Sequence, residues 1–340
     1  MKQIIECVPN FSEGIDQDKI DRIAAGITEV FGVKLLNIDP GHDANRTVIT
    51  FAGEPHAVVE AAFNAIKIAG EVIDMRSQKG EHPRMGATDV CPLIPVSNIT
   101  LTEVDAYAKQ LAARVGQELG IPVYLYEHSQ ADKKRSNLSI IRSGEYEGFF
   151  EKIKQAGWQP DYGPLQMDAK RGATVIGARN FLIAYNVNLS TVSVDVAAEI
   201  AADVRESGRL VLDGNGAKQR VPGLLKGVKA IGWYMKEYSC AQVSTNITDM
   251  ELAPIHKVFE TVVKCAEAHG IKVTGSELIG LIPLSAVLAA GRYYADKGGL
   301  TIMNEDQLVD AAVDGLGLAA LKRFEPQKRI LDYLLSELNK

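Results

Sequence analysis

The run Lys79-Gly80-Glu81-His82-Pro83-Arg84-Met85-Gly86-Ala87-Thr88-Asp89 concentrates more polar chemistry than any other stretch of the chain. It follows a helical pattern and precedes a strand-like one, which makes it a display loop. An imidazole with an ordinary pKa near 6.5 can take a proton at neutral pH, and a neighbouring carboxylate and guanidinium can tune it and hold an anionic substrate. His82 is therefore the first candidate for a general base. The competing role for His82 is a loop cap through backbone hydrogen bonds, and spacing alone does not choose between the two. Arg84, in the same loop, is a candidate for a substrate carboxylate.

A second polar loop, Asp39-Pro40-Gly41-His42-Asp43-Ala44-Asn45-Arg46, falls between two strand-like runs. Asp-Pro-Gly is turn chemistry in its own right, so a structural role accounts for most of it. Asp39 can still orient the imidazole, and Arg46 can grip a carboxylate with two parallel N–H bonds. A third segment, Val8-Pro9-Asn10-Phe11-Ser12-Glu13-Gly14, ends the first strand. Ser12 or Asp16 there caps the next helix, and Asn10 is a candidate lining residue for a pocket at the strand end.

Other chemistries leave no trace. No HExxH, CxxC or clustered His/Asp set suggests a metal site, and no G-x-S-x-G elbow is found. Gly172 to Gly177 matches neither phosphate-loop spacing. The expected site is acid–base, without a metal.

The elements around these loops alternate. Gln3 to Cys7 predicts a strand, about Asp16 to Val30 a helix with Ile20, Ile23, Ala24 and Ile27 on one face, Val33 to Ile38 and Thr47 to Phe51 two strands, about Pro55 to Asp74 a helix, and Val90 to Val96 a strand. The order is β-α-β-β-α-β. It returns with Phe181 to Leu189, Asp195 to Ser207, Val228 to Met235, Ala241 to Ile247, Pro254 to His269 and Val273 to Leu278. Two such units predict an α/β (α+β) chain of two ferredoxin-like lobes. Between them come a helix over Thr102 to Gly120, a strand over Pro122 to Tyr126, and a glycine-rich loop at the boundary near Gly172 to Arg179. Leu308 to Leu321 and Gln327 to Leu338 read as tail helices packed on the outside or on a partner. The expected division is 1–178, 179–298 and a helical C-terminal extension over 299–340.

Composition narrows the partners. At 340 residues, with 46% hydrophobic and 24% charged side chains, the chain can bury two cores. A net charge of −6 with scattered basic residues argues against a nucleic-acid surface. No apolar run reaches the roughly 18–20 residues of a membrane span. Four widely spaced cysteines and no secretory signal point to a reduced, cytoplasmic protein.

Several of these segments are jointly distinctive. Glu6-Cys7-Val8-Pro9-Asn10-Phe11-Ser12-Glu13-Gly14, Asn45-Arg46-Thr47, Gly80-Glu81-His82-Pro83-Arg84-Met85-Gly86-Ala87, Val123-Tyr124-Leu125-Tyr126, Ala230-Ile231-Gly232-Trp233-Tyr234 and Gln242-Val243-Ser244-Thr245-Asn246 resemble the formiminotransferase family. The resemblance implies two α/β subdomains with a folate tunnel between them and a homodimer. It implies transfer of a formimidoyl group between N-formimidoyl-L-glutamate and tetrahydrofolate, in either direction, in histidine degradation and one-carbon metabolism. Tetrahydrofolate, in some cases polyglutamylated, is then a co-substrate. The family's catalytic histidine maps to His82. Its folate-binding segment maps to Gly163, Pro164, Leu165, Gln166, Met167, Asp168, Ala169, Lys170, Arg171 and Gly172. Animal members carry a fused cyclodeaminase; here the chain stops after two short helices, so a stand-alone transferase is expected. A folate-dependent formyltransferase acting on glutamate, a non-catalytic folate carrier and a formamide-releasing hydrolase remain as alternatives.

Overall fold

The computed structural model describes residues 2–214, 216–299 and 303–336, and the chain divides into two compact units, Met1–Asn180 and Phe181–Glu337. The first unit begins with β1 (Ile4–Cys7) and its short continuation β2 (Asn10–Phe11), then α1 (Gln17–Thr28), β3 (Val33–Gly41), β4 (Arg46–Gly53), α2 (Pro55–Val72) and β5 (Thr88–Ser97). Asp16 caps α1 by accepting from the Lys19 amide, and Ile20, Ile23, Ala24 and Ile27 form its buried stripe. Pro55 opens α2, where its missing N–H costs nothing. In the sheet, β4 lies between β3 and the β1/β2 strand, and β1/β2 lies between β4 and β5, all antiparallel. That is the ferredoxin-like arrangement expected from the element order.

The unit then extends its own sheet. α3 (Leu101–Arg114), held by a Thr100/Glu103 capping box, leads to β6 (Val123–Leu125). Two short helices follow, α4 (Leu138–Arg142) and α5 (Glu145–Lys152), and then β7 (Thr174–Ala178). β7 inserts between β5 and β6, parallel to both, and every one of its residues is buried. This corrects the expectation of a boundary loop at Gly172 to Arg179. Gly177 is there because a Cβ would stand 2.5 Å from the Tyr126 carbonyl, so it marks close strand packing instead of a turn. Ile23, Ile27, Phe51, Val58, Ile66, Leu93, Leu111, Tyr124, Phe149 and Ile176 share one core.

The second unit repeats the order with β8 (Ile183–Leu189), α6 (Val194–Val204), a small hairpin of β9 (Arg209–Leu212) and β10 (Lys218–Val221), then β11 (Val228–Met235), β12 (Cys240–Ile247), α7 (Ile255–Ala268) and β13 (Val273–Ile279). Its sheet runs β11-β12-β8-β13, again antiparallel throughout. α8 (Leu284–Lys297) was not anticipated: Pro283 reads as a breaker, but it sits at the N-cap, where proline is tolerated. Next come α9 (Glu305–Leu316), α10 (Pro326–Arg329) and α11 (Leu331–Leu335). Val309, Ala312, Leu316 and Ile330 are buried in the second core with Leu278, Val287 and Ala290, so the helices beyond Gly298 belong to this unit. Where one tail helix was expected from Gln327 to Leu338, the structure has α10 and α11, joined at Ile330; residues 337 and 338 fall outside the described residues. Among the described residues no helix is long and apolar enough to cross a membrane.

Candidate active site

Three loops of the first unit are tied together at one end of its sheet. Asn45, at the β3–β4 turn, adopts φ +45°, which asparagine tolerates better than most residues. Its side-chain oxygen accepts from the Gly14 amide at 2.9 Å and its amide donates to the Lys79 carbonyl at 2.6 Å. Ser12 donates its hydroxyl to the Gly86 carbonyl at 2.7 Å, while its own amide reaches the Ala87 carbonyl. At Gly80 a Cβ would lie 2.2 Å from the Ala44 carbonyl, so only glycine lets the loops approach.

Four side chains meet within this frame. Arg46, from the start of β4, donates through Nε to Asn10 Oδ1 at 2.9 Å and through Nη1 to Asp89 Oδ2 at 2.6 Å and the Pro83 carbonyl at 3.2 Å. Arg142, at the end of α4, donates through Nη2 to the same Asp89 oxygen, also at 2.6 Å. The other Asp89 oxygen accepts from the Met85 amide at 3.0 Å, which fixes the carboxylate. His82 completes the group, with Nδ1 2.9 Å from the Pro83 carbonyl and 3.2 Å from Arg46 Nη1. The carbonyl can only accept and the guanidinium can only donate, so Nδ1 faces one partner that favours a protonated nitrogen and one that favours its lone pair.

The electrostatics follow from burial and charge. Asp89 is fully buried; burial alone would raise its pKa, but Arg142 and Arg46 hold it below the usual carboxylate range. Burial and repulsion from Arg142 draw Arg46 down to about 10, which leaves it charged at neutral pH. His82 is pushed down to about 3 by burial, then by the Arg46 and Arg142 guanidiniums, with only partial relief from the Pro83 carbonyl and Asp89. It is therefore a neutral imidazole at physiological pH. Two cations, one anion and a neutral base leave one positive charge in this group, which favours an anionic ligand.

The expected site residues divide. His82, Arg46 and Asn10 come together. Asp39 lies on β3 opposite Val48, and the Asp89 carboxylate acts on His82 through its charge. Arg84 is engaged within the chain: its Nε donates to Gln78, Nη1 to Glu145 and Glu147, and Nη2 to the Gln78 carbonyl and Glu147. All five of its N–H groups are thus committed to the protein. The segment Gly163 to Gly172 abuts the His82 loop, since Gly172 pairs with Gly86 and the Arg171 carbonyl accepts from the Ala87 amide. Within it Pro164, Leu165 and Gln166 are exposed, while Asp168 pairs with Arg171 and accepts from the Lys170 amide. Sequence reading assigned no role to Asp89 or Arg142; Asp89 closes the recognised motif and was legible there, whereas Arg142 stands 53 residues away with no motif around it.

Both units match a known protein family. The formiminotransferase domain, N-terminal subdomain, matches residues 4–179, and the formiminotransferase domain matches residues 184–336. A glutamate formimidoyltransferase of Streptococcus pyogenes is 42% identical over 86% of this chain and 94% of its own, and one of Thermoplasma acidophilum is 41% identical over 87% and 93%. A formimidoyltransferase-cyclodeaminase of Rattus norvegicus is 46% identical over 99% of this chain, which spans 61% of that protein's length. With family matches covering both units, the chain belongs to the formiminotransferase family.

Proposed function

We propose that this protein is a glutamate formimidoyltransferase, moving a formimidoyl group between N-formimidoyl-L-glutamate and tetrahydrofolate. The observation that carries the reading is a neutral imidazole held beside two guanidiniums, in a chain more than 40% identical to proteins of that name. Attack of N5 of tetrahydrofolate on the formimidoyl carbon gives a tetrahedral adduct whose new nitrogen substituent is acidic and whose departing glutamate nitrogen needs a proton. His82 accepts the first proton and returns one to the leaving amine, a role typically contributing about 10²–10⁴-fold. A base depressed to about 3 is weak. Burial is the first cause of that depression and the two guanidiniums the second, and a substrate carboxylate seated among the guanidiniums would offset the second part.

Asn10 and Asp89 hold Arg46, and Arg84 holds the His82 loop through Gln78, Glu145 and Glu147. The segment Gly163 to Gly172 is our folate-binding stretch, with exposed Pro164, Leu165 and Gln166 next to the His82 loop as its contact surface. A homodimer in the cytoplasm goes with this reading. The test is folate-dependent turnover: formation of 5-formimidoyltetrahydrofolate and L-glutamate supports it, and turnover of N-formyl-L-glutamate alone would replace it with formyl transfer.

A further inference from the structure

Three arginines converge on the His82 loop, and their hydrogen bonds distinguish them. Arg84 has every N–H satisfied within the chain. Arg46 spends Nε and Nη1 on Asn10, Pro83 and Asp89. Arg142 is anchored only through Nη2 on Asp89, and its Nε is buried with no hydrogen-bond partner among the described residues. A buried donor without an acceptor is costly, and a charged one more so, unless a ligand supplies the acceptor.

The segment that carries Arg142 is built to hold it still. α4 is only five residues long, yet Lys152 donates to the carbonyls of Ile140, Ile141 and Ser143, on both sides of Arg142. The Lys152 ammonium also lies 3.9 Å from the Trp158 ring centroid. A fixed guanidinium with a spare buried donor, in a group of side chains with one surplus positive charge, fits an acceptor that is itself anionic.

We propose that Arg142 is the arginine that binds the glutamyl substrate, donating through Nε to a carboxylate oxygen while Asp89 anchors the other end of its guanidinium. This deepens, and rests on, the reading as a glutamate formimidoyltransferase. The same guanidinium, with Arg46 and against Asp89, faces His82, so its removal also changes proton affinity at the imidazole.

The experiment uses the full chain as wild type, Arg142→Lys and Arg142→Gln. Lysine keeps a cation against Asp89 but has no Nε–H to give, which keeps the test informative if the glutamine variant unfolds. Binding of L-glutamate is measured by calorimetry, and KM for N-formimidoyl-L-glutamate and for tetrahydrofolate by steady-state assay. The proposal predicts a KM for the glutamyl substrate raised about 10–100-fold in both variants, the loss of one hydrogen bond to a charged partner, with KM for tetrahydrofolate nearly unchanged. In Arg142→Gln the acid limb of kcat/KM moves to higher pH, because a repelling charge near His82 is gone. Wild-type KM in Arg142→Lys, or an equal rise for both substrates, overturns the proposal while leaving the transfer reading intact. Wild type that binds L-glutamate but transfers nothing, with binding lost in Arg142→Lys, sustains the arginine and removes the reaction. Absence of both binding and turnover in wild type overturns both.

Discussion

At the scale of single residues, the site works by setting two guanidiniums and one carboxylate around an imidazole. His82→Ala should lower kcat by about 10²–10⁴-fold with KM for tetrahydrofolate changed little, measured by steady-state assay; retained turnover would remove His82 as proton carrier. His82 also makes a stability prediction. Its pKa is about 3 in the fold against an ordinary 6.5, so the folded state binds fewer protons than the unfolded one between those values. The stability it contributes is fully present above about pH 6.5 and is lost as pH falls toward 3. Denaturant titration of wild type and His82→Asn at pH 7 and pH 4.5 should show wild type losing about 2 kcal/mol more over that interval. Equal losses would mean that the imidazole is not held neutral by its surroundings. His82, Arg46 and Asn10 were legible as residues because they sit in short polar loops between strong strand and helix patterns. Asp39 stands in turn chemistry that displays a carboxylate, whereas Asp89 closes the polar run ahead of a strand and is buried between two guanidiniums, which only the structure brings together.

At the scale of elements, the expected β-α-β-β-α-β order appears in both units because each helix shows an apolar stripe and each strand a β-rich run bounded by turn residues. The failures have physical causes. β7 is buried on both faces, so it shows no alternation, and Gly177 within it and Gly172 just before it read as loop residues. α4 and α5 are too short for periodicity to show, and α4 is held by Lys152 from elsewhere in the chain. Lys152→Met should therefore uncap three carbonyls and lower stability by about 1–3 kcal/mol. Thermal unfolding checks the stability, and a lower kcat/KM checks that Arg142 has moved; unchanged values of both would show that α4 needs no clamp. Gly86→Ala puts a Cβ 2.1 Å from the Ala173 carbonyl, where β5 approaches β7. Its expected effect is a drop in stability larger than the roughly 1 kcal/mol of an ordinary substitution, read by the same melt.

At the scale of the whole molecule, each unit has its own core, and the cluster around His82 belongs entirely to the first unit. The tail helices were expected on the outside or on a partner, since amphipathic helices at a chain end look like appendages; Val309, Ala312 and Leu316 bury the stripe of α9 in the second core. Deleting residues 303 onward should strip hydrogen-exchange protection from β13 and α8 while leaving β1, β4 and β5 protected; undiminished protection in α8 would show that α9 is dispensable for that core. The central claim is formimidoyl transfer through His82. Its most direct test is a spectrophotometric assay of purified protein with tetrahydrofolate and N-formimidoyl-L-glutamate, run in parallel with N-formyl-L-glutamate and with His82→Ala. Folate-dependent turnover of the formimidoyl donor, lost in the variant, is the predicted result; tight folate binding with no turnover of either donor would contradict it and leave a folate carrier.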